Sequence, residues 1–161
     1  MYVDFESLPE NSRIWVYQAN RSLTDEETSE IEQKTKEFLT KWTAHGAHLE
    51  ASFELKYKRF LIIAINQDTQ AATGCSIDAS VAFVQQLEKD YEIDLLDKMN
   101  VSFKQGEFIA YKALTDFKKM AKNKSVSKNT IVFNNLVTNK YEYENFWEVP
   151  ASESWHSRFL N

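Results

Sequence analysis

Residues 49–65, LEASFELKYKRFLIIAI, contain two strands written in different patterns. Leu49, Ala51, Phe53, Leu55 and Tyr57 alternate with Glu50, Ser52, Glu54 and Lys56, which is the period-two pattern of a strand with one buried and one wet face. Phe60–Ile65 follows as an unbroken apolar run, too short and too β-branched for a helix, and therefore a second strand. Lys58-Arg59 between them implies a tight hairpin, although these are not the favoured Asn-Gly turn residues. An antiparallel pair thus sits at the centre of the argument, and the fold depends on what flanks it.

Upstream, Arg13–Asn20 (RIWVYQAN) alternates with both faces largely apolar, which predicts a central strand. Thr24 and Glu27 form a capping box, and Asp25 and Glu26 suit the positive end of a helix dipole. Ile31, Phe38, Leu39 and Trp42 then make a helical stripe, expected to stop at Gly46. Downstream, Asn66–Thr73 is a polar loop. Ser76 or Asp78 is expected to cap a second helix with the stripe Ile77, Val81, Val84, Leu87 and Tyr91. Val101–Tyr111 reads as a hairpin turning at Gln105-Gly106. The order strand, helix, strand, strand, helix, strand is that of an α+β, ferredoxin-like split βαβ: an antiparallel sheet with two helices on one face. A short helix near 115–122, a strand near 130–137 and an aromatic tail complete a single expected domain, with its core at about 13–111 and a C-terminal elaboration at about 112–161.

The chain has 161 residues, 43% of them apolar and 27% charged, with a net charge of −5. That is the composition of a globular protein. No apolar run approaches the ~20 residues of a spanning helix, and Asp4 and Glu6 stand where a signal peptide would need basic and apolar residues. A single cysteine, Cys75, excludes an internal disulfide and a multi-thiolate metal site. The expectation is a cytoplasmic protein with no membrane partner.

Gly46, Gly74 and Gly106 are the three glycines, no two closer than 28 residues. A P-loop, a G-x-G-x-x-G dinucleotide loop and a G-x-S-x-G nucleophile elbow all need closely spaced glycines so that the backbone can approach a phosphate or turn sharply. None of them can be built. H-E-x-x-H and calcium-loop patterns are absent as well, and no cofactor is expected.

In a split βαβ the loop after helix one and the loop before helix two meet at one end of the sheet. Those loops carry Trp42, His45, Gly46 and His48, and Asn66–Asp78, so His45, His48, Cys75, Ser76 and Asp78 are expected to converge. A cysteine at a helix N-terminus has its thiolate favoured by the N–H dipoles. Cys75 as nucleophile with His45 as base is one reading. An anion site at Gly74, Ser76, Ile77 and Asp78, lined by Trp42 and His48, is another. The alternative is that Gly74 makes a turn, Ser76 caps the helix and Cys75 is a small buried filler. His45, His48 and Cys75 could be considered as zinc ligands, but two imidazoles and one thiol in loops are a weak pattern, and no metal is expected. Nothing in the sequence places His156.

Charge is uneven: residues 1–100 hold 18 acids and 10 bases, and residues 101–161 hold 6 acids and 9 bases. Lys112, Lys118, Lys119, Lys122, Lys124 and Lys128 supply most of the basic part. Arginine is absent from that cluster, and nucleic acid is not an expected partner. The tail carries Tyr141, Tyr143, Phe146, Trp147, Trp155 and Phe159. Trp147 and Trp155 are therefore candidate partner-binding anchors, and a homodimer or a protein partner could form through the tail or the sheet face. The alternative is that the tail completes its own core.

Arg13–Thr24 (RIWVYQANRSLT), Trp42–Gly46 (WTAHG), Gly74–Ser80 (GCSIDAS) and Trp147–Phe159 (WEVPASESWHSRF) resemble stretches of a family of short, uncharacterised bacterial proteins commonly labelled "ABC transporter ATPase". The likeness covers nearly the whole chain. The label implies a P-loop and a signature motif, neither of which this chain carries. Two readings of function stand side by side. One is a non-enzymatic binding or accessory protein; the other is a small-molecule enzyme or anion-binding protein built on the Cys75 helix end.

Overall fold

The computed structural model describes residues 1–160. The strands are β1 (Arg13–Gln18), β2 (Thr43–Ala44), β3 (Ala47–His48), β4 (Ala51–Lys56), β5 (Phe60–Ile65), β6 (Asn100–Gln105), β7 (Phe108–Ala113), β8 (Ile131–Phe133) and β9 (Glu148–Pro150). The helices are α1 (Asp25–Lys41), α2 (Gly74–Tyr91), α3 (Leu114–Lys122) and α4 (Lys140–Phe146). The class is α+β. The chain divides into two compact units: Met1–Leu96 with Thr138–Tyr141, and Asp97–Val137 with the described residues from 142 onward.

In the first unit the sheet order is β1-β5-β4, all antiparallel. The hairpin read from residues 49–65 is present, with Ala51 opposite Ile65 and Lys56 opposite Phe60. Its turn lies at Tyr57 and Lys58, both with positive φ, closed by the Arg59 N–H on the Lys56 carbonyl at 3.0 Å. The central strand is β5, all six of whose side chains are buried, and β1 lies beside it rather than in the middle. β4 has no fully wet face, since Ser52 is buried. Leu61, Ile63 and Ile65 meet Ile31 and Leu39 of α1 and Val84 and Leu87 of α2 in one core. The buried line of α2 is Ser76, Ser80, Val84, Leu87 and Tyr91, rotated from the apolar stripe because Ile77 and Val81 are only half-buried.

The α1 capping box forms as expected from Thr24 and Glu27. The Glu27 carboxylate also accepts both terminal nitrogens of Arg21, each at 2.8 Å, and Arg21 reaches the last carbonyl of α2, that of Tyr91. These bonds, Arg21 foremost and the Thr24 amide next, hold the Glu27 carboxyl down to about 2.

The 100–113 hairpin expected to supply the last strand of a split βαβ does not join this sheet. β6 already has both edges occupied, by β7 and by β8, in a separate four-stranded sheet ordered β7-β6-β8-β9. The outer edge of β1 instead takes the strap 138–141. Arg13 bridges Asn139, the Ile14 N–H reaches the Thr138 carbonyl at 3.0 Å, and the buried Lys140 donates to the Leu8 carbonyl at 2.8 Å.

In the second unit, Phe103 of β6 stacks on Phe117 of α3 at 5.3 Å, and Val101, Val126, Val132 and Ala151 pack with them. The β6–β7 turn is Gly106-Glu107 with Gly106 at φ +62, one residue later than the sequence suggested. After α3 the chain leaves through Lys124 at φ +65, with the Ser125 N–H on the Met120 carbonyl at 2.8 Å. That is a helix C-terminus in the left-handed conformation glycine prefers. Lys124→Gly is expected to stabilise the unit by about 1 kcal/mol, read as a raised urea midpoint at unchanged slope.

Candidate functional site

α1 stops at Lys41 and not at Gly46. Thr43–Ala44 pairs with Ala47–His48, and His45-Gly46 is the two-residue turn between them, at φ +51 and +77. Two successive positive φ values define the turn whose twist matches a hairpin. Gly46 therefore serves this turn and not the helix stop, five residues after the end of α1. The hairpin places the His45 side chain beside the first turn of α2.

The N-cap of α2 is Thr73, not Ser76 or Asp78. The Ser76 N–H donates to Thr73 Oγ1 at 3.2 Å, and the Thr73 N–H donates to Ser76 Oγ at 2.7 Å. The Ile77 N–H is taken by the Thr73 carbonyl at 2.9 Å. Of the amides expected to receive an anion, those of Ser76 and Ile77 are therefore already engaged, and the Gly74 and Cys75 amides begin the helix ahead of them. A buried indole ties the two walls together: Trp42 Nε1 donates to the Ser76 carbonyl at 2.8 Å.

Between these walls lies an open groove of about 460 Å³. Phe38, Trp42, Ala44 and Ala79 form its apolar part. Lys41, Thr43, His45, Thr73, Cys75 and Ser76 supply its polar part. No aspartate or glutamate is among these lining residues, although residues 1–100 carry a large acidic excess. The groove thus offers the Lys41 amine, the His45 imidazole, the Thr43 hydroxyl and the Cys75 thiol to a ligand, while the Thr73 and Ser76 hydroxyls are engaged in the cap of α2.

Of the residues singled out in the sequence, Trp42, His45, Cys75 and Ser76 line this groove together. Cys75 is exposed, so it is not a buried filler. His48 and Asp78 are exposed, Gly74 and Ile77 lie in the first turn of α2, and none of the four is among the lining residues. Among the described residues no three His, Cys, Asp or Glu side chains are grouped to hold a metal ion. Lys41, Phe38 and Thr73 belong to the groove without having been singled out. A basic residue in the last turn of α1 and a Thr-x-x-Ser pair before α2 were the signals that could have found Lys41 and Thr73.

The tail residues lie elsewhere. Trp147 is 4% exposed, its Nε1 on Asn135 Oδ1 at 2.9 Å and its ring against Phe133 and Tyr143 at 5.0 and 5.2 Å. Trp155 packs on the core of the second unit and stacks on the fully buried His156 at 3.8 Å. Burial pushes the His156 imidazole down to about 4, so it stands neutral, with Nδ1 sharing a 2.7 Å hydrogen bond with Ser154 Oγ. Tyr141 and Phe146 are the large exposed apolar side chains of the tail. Among the described residues no helix is long and apolar enough to cross a membrane. No family model, curated protein or solved structure matches the chain.

Proposed function

We propose that the protein is a non-enzymatic binding or accessory protein, and that the groove between the end of α1 and the start of α2 is its recognition site for a ligand bearing an anionic group. The observation that carries this reading is the lining: Lys41 and His45 with no carboxylate, in the more acidic part of an acidic chain. The amides that begin α2 add their partial positive charge to the same place. The apolar part, Phe38 and Trp42 above all, favours an organic anion over an inorganic one. Lack of a P-loop keeps P-loop ATP hydrolysis out of this proposal, whatever label the resembling bacterial family bears.

The competing reading makes Cys75 a nucleophile with His45 as base, and what favours it is their place in one groove. It needs oxyanion donors at Ser76 and Ile77, and both of those amides are spent on the Thr73 cap.

The test is an amide-resolved titration of the protein with benzoate and, separately, with benzylamine. Benzoate is expected to shift the Gly74 and Cys75 resonances saturably, benzylamine is not, and Lys41→Glu is expected to weaken benzoate binding by about tenfold. Equal response to the two compounds, or no response to benzoate, overturns the proposal.

A further inference from the structure

The four-stranded sheet of the second unit ends in two strands of different character. β9 is three residues long and holds Pro150, whose nitrogen has no hydrogen to donate, and both features discourage an added strand. β7 runs for six residues without proline, and its register against β6 is unbroken by any bulge. Among the described residues it pairs with β6 alone. Lys112 is its one charge. Phe108, at 78%, is the most exposed large apolar side chain of the described residues.

The hairpin fixes which backbone groups face outward. Gly106-Glu107 is a two-residue turn, so the flanking Gln105 and Phe108 exchange backbone hydrogen bonds. Alternation then turns the backbone groups of Ala110 and Lys112 toward β6, and those of Ile109 and Ala113 toward the outer edge. A second β7 laid antiparallel on that edge must set odd-numbered residues opposite odd ones and even opposite even. The possible registers therefore differ by steps of two residues.

One of them engages the whole strand. Ala110 faces Ala110 across a twofold axis, Ile109 faces Tyr111, and Phe108 faces Lys112 of the second copy. The exposed ring meets a cation, the symmetry repeats that pair, and no like charges are opposed. A shift one way sets Phe108 against Ala110 and leaves Lys112 opposite Gly106 in the turn. A shift the other way sets Phe108 against Leu114, which is already in α3.

We propose that the outer edge of β7 is a homodimer interface, pairing antiparallel with β7 of a second copy in this register and joining two four-stranded sheets into one of eight strands.

Sedimentation velocity of the full-length protein over a concentration series is expected to show a species of twice the 18.8 kDa chain mass. Ile109→Pro removes an outward N–H and no bond to β6, and is expected to return the monomer. Lys112→Glu leaves every backbone bond in place at an exposed position, and is expected to weaken the dimer about tenfold. Ala110→Cys in a Cys75→Ser background reads the register. A non-hydrogen-bonded antiparallel pair sets its Cα atoms about 4.5 Å apart, within disulfide reach. Diamide is expected to crosslink that variant, and not Lys112→Cys in the same background. A monomer at every concentration overturns the proposal. So does a dimer that survives both Ile109→Pro and Lys112→Glu, or one that crosslinks through residue 112 and not through residue 110.

Discussion

Trp147→Ala is expected to destabilise the second unit by about 3–5 kcal/mol, the usual cost of emptying a buried aromatic site. The side chain is almost fully covered, its ring touches Phe133 and Tyr143, and its indole N–H is held by Asn135. Truncation leaves a cavity and leaves the Asn135 carbonyl oxygen without that donor. Urea unfolding followed by circular dichroism measures the loss. Trp147→Phe, which keeps most of the ring volume, is expected to recover more than half of it. A loss under about 1 kcal/mol, the range of surface substitutions, combined with weakened self-association, would make Trp147 a partner anchor after all.

The second large effect is on acid stability. His156 titrates at about 4 in the folded protein because burial among Trp155 and Phe117 penalises the charged ring, whereas an unfolded histidine titrates near 6.5. The folded pKa is the lower one. Above pH 6.5 both states are neutral and the group costs nothing. As pH falls from 6.5 to 4 the unfolded state takes up a proton that the folded state refuses, and stability drains away over that window, by about 3 kcal/mol in total. His156→Leu removes the titration. Its stability at pH 7.5 is expected to be lower, since the Ser154 hydroxyl loses its partner, but the slope between pH 6.5 and 4 attributable to this ring is expected to vanish. Urea midpoints of both proteins at four pH values across the window decide the matter, and an unchanged slope in His156→Leu would place the acid sensitivity elsewhere.

Local signals in the chain proved sound where the physics is local. The Thr24–Glu27 capping box formed because its bonds close within one helical turn. The 49–65 hairpin formed because strict alternation followed by a continuous apolar run leaves two adjacent strands as the economical way to bury both. Gly46 was expected to stop α1, and it lies instead in the β2–β3 turn at φ +77. A helix stop and a hairpin turn both ask for that conformation, and pairing of Thr43 with His48 is what distinguishes them. Likewise, Ser76 belonged to the cap of α2, but as the residue that answers Thr73.

By itself, then, the sequence determined the α+β class, the two helices and the hairpin of the first unit, the exclusion of glycine-rich phosphate loops, and the loops that meet at the groove. Tertiary structure alone decided three things. It sent the 100–113 hairpin to a second sheet, because β8, which arrives later in the chain, fills the remaining edge of β6. It placed the strap 138–141 on β1, a pairing separated from its partner by more than a hundred residues. And it set Lys41 and Phe38 beside Cys75 and Thr73. Periodicity reports which face of an element is covered. It carries no record of which distant segment covers it, since that choice is made by edge pairing and side-chain packing between residues far apart in the chain.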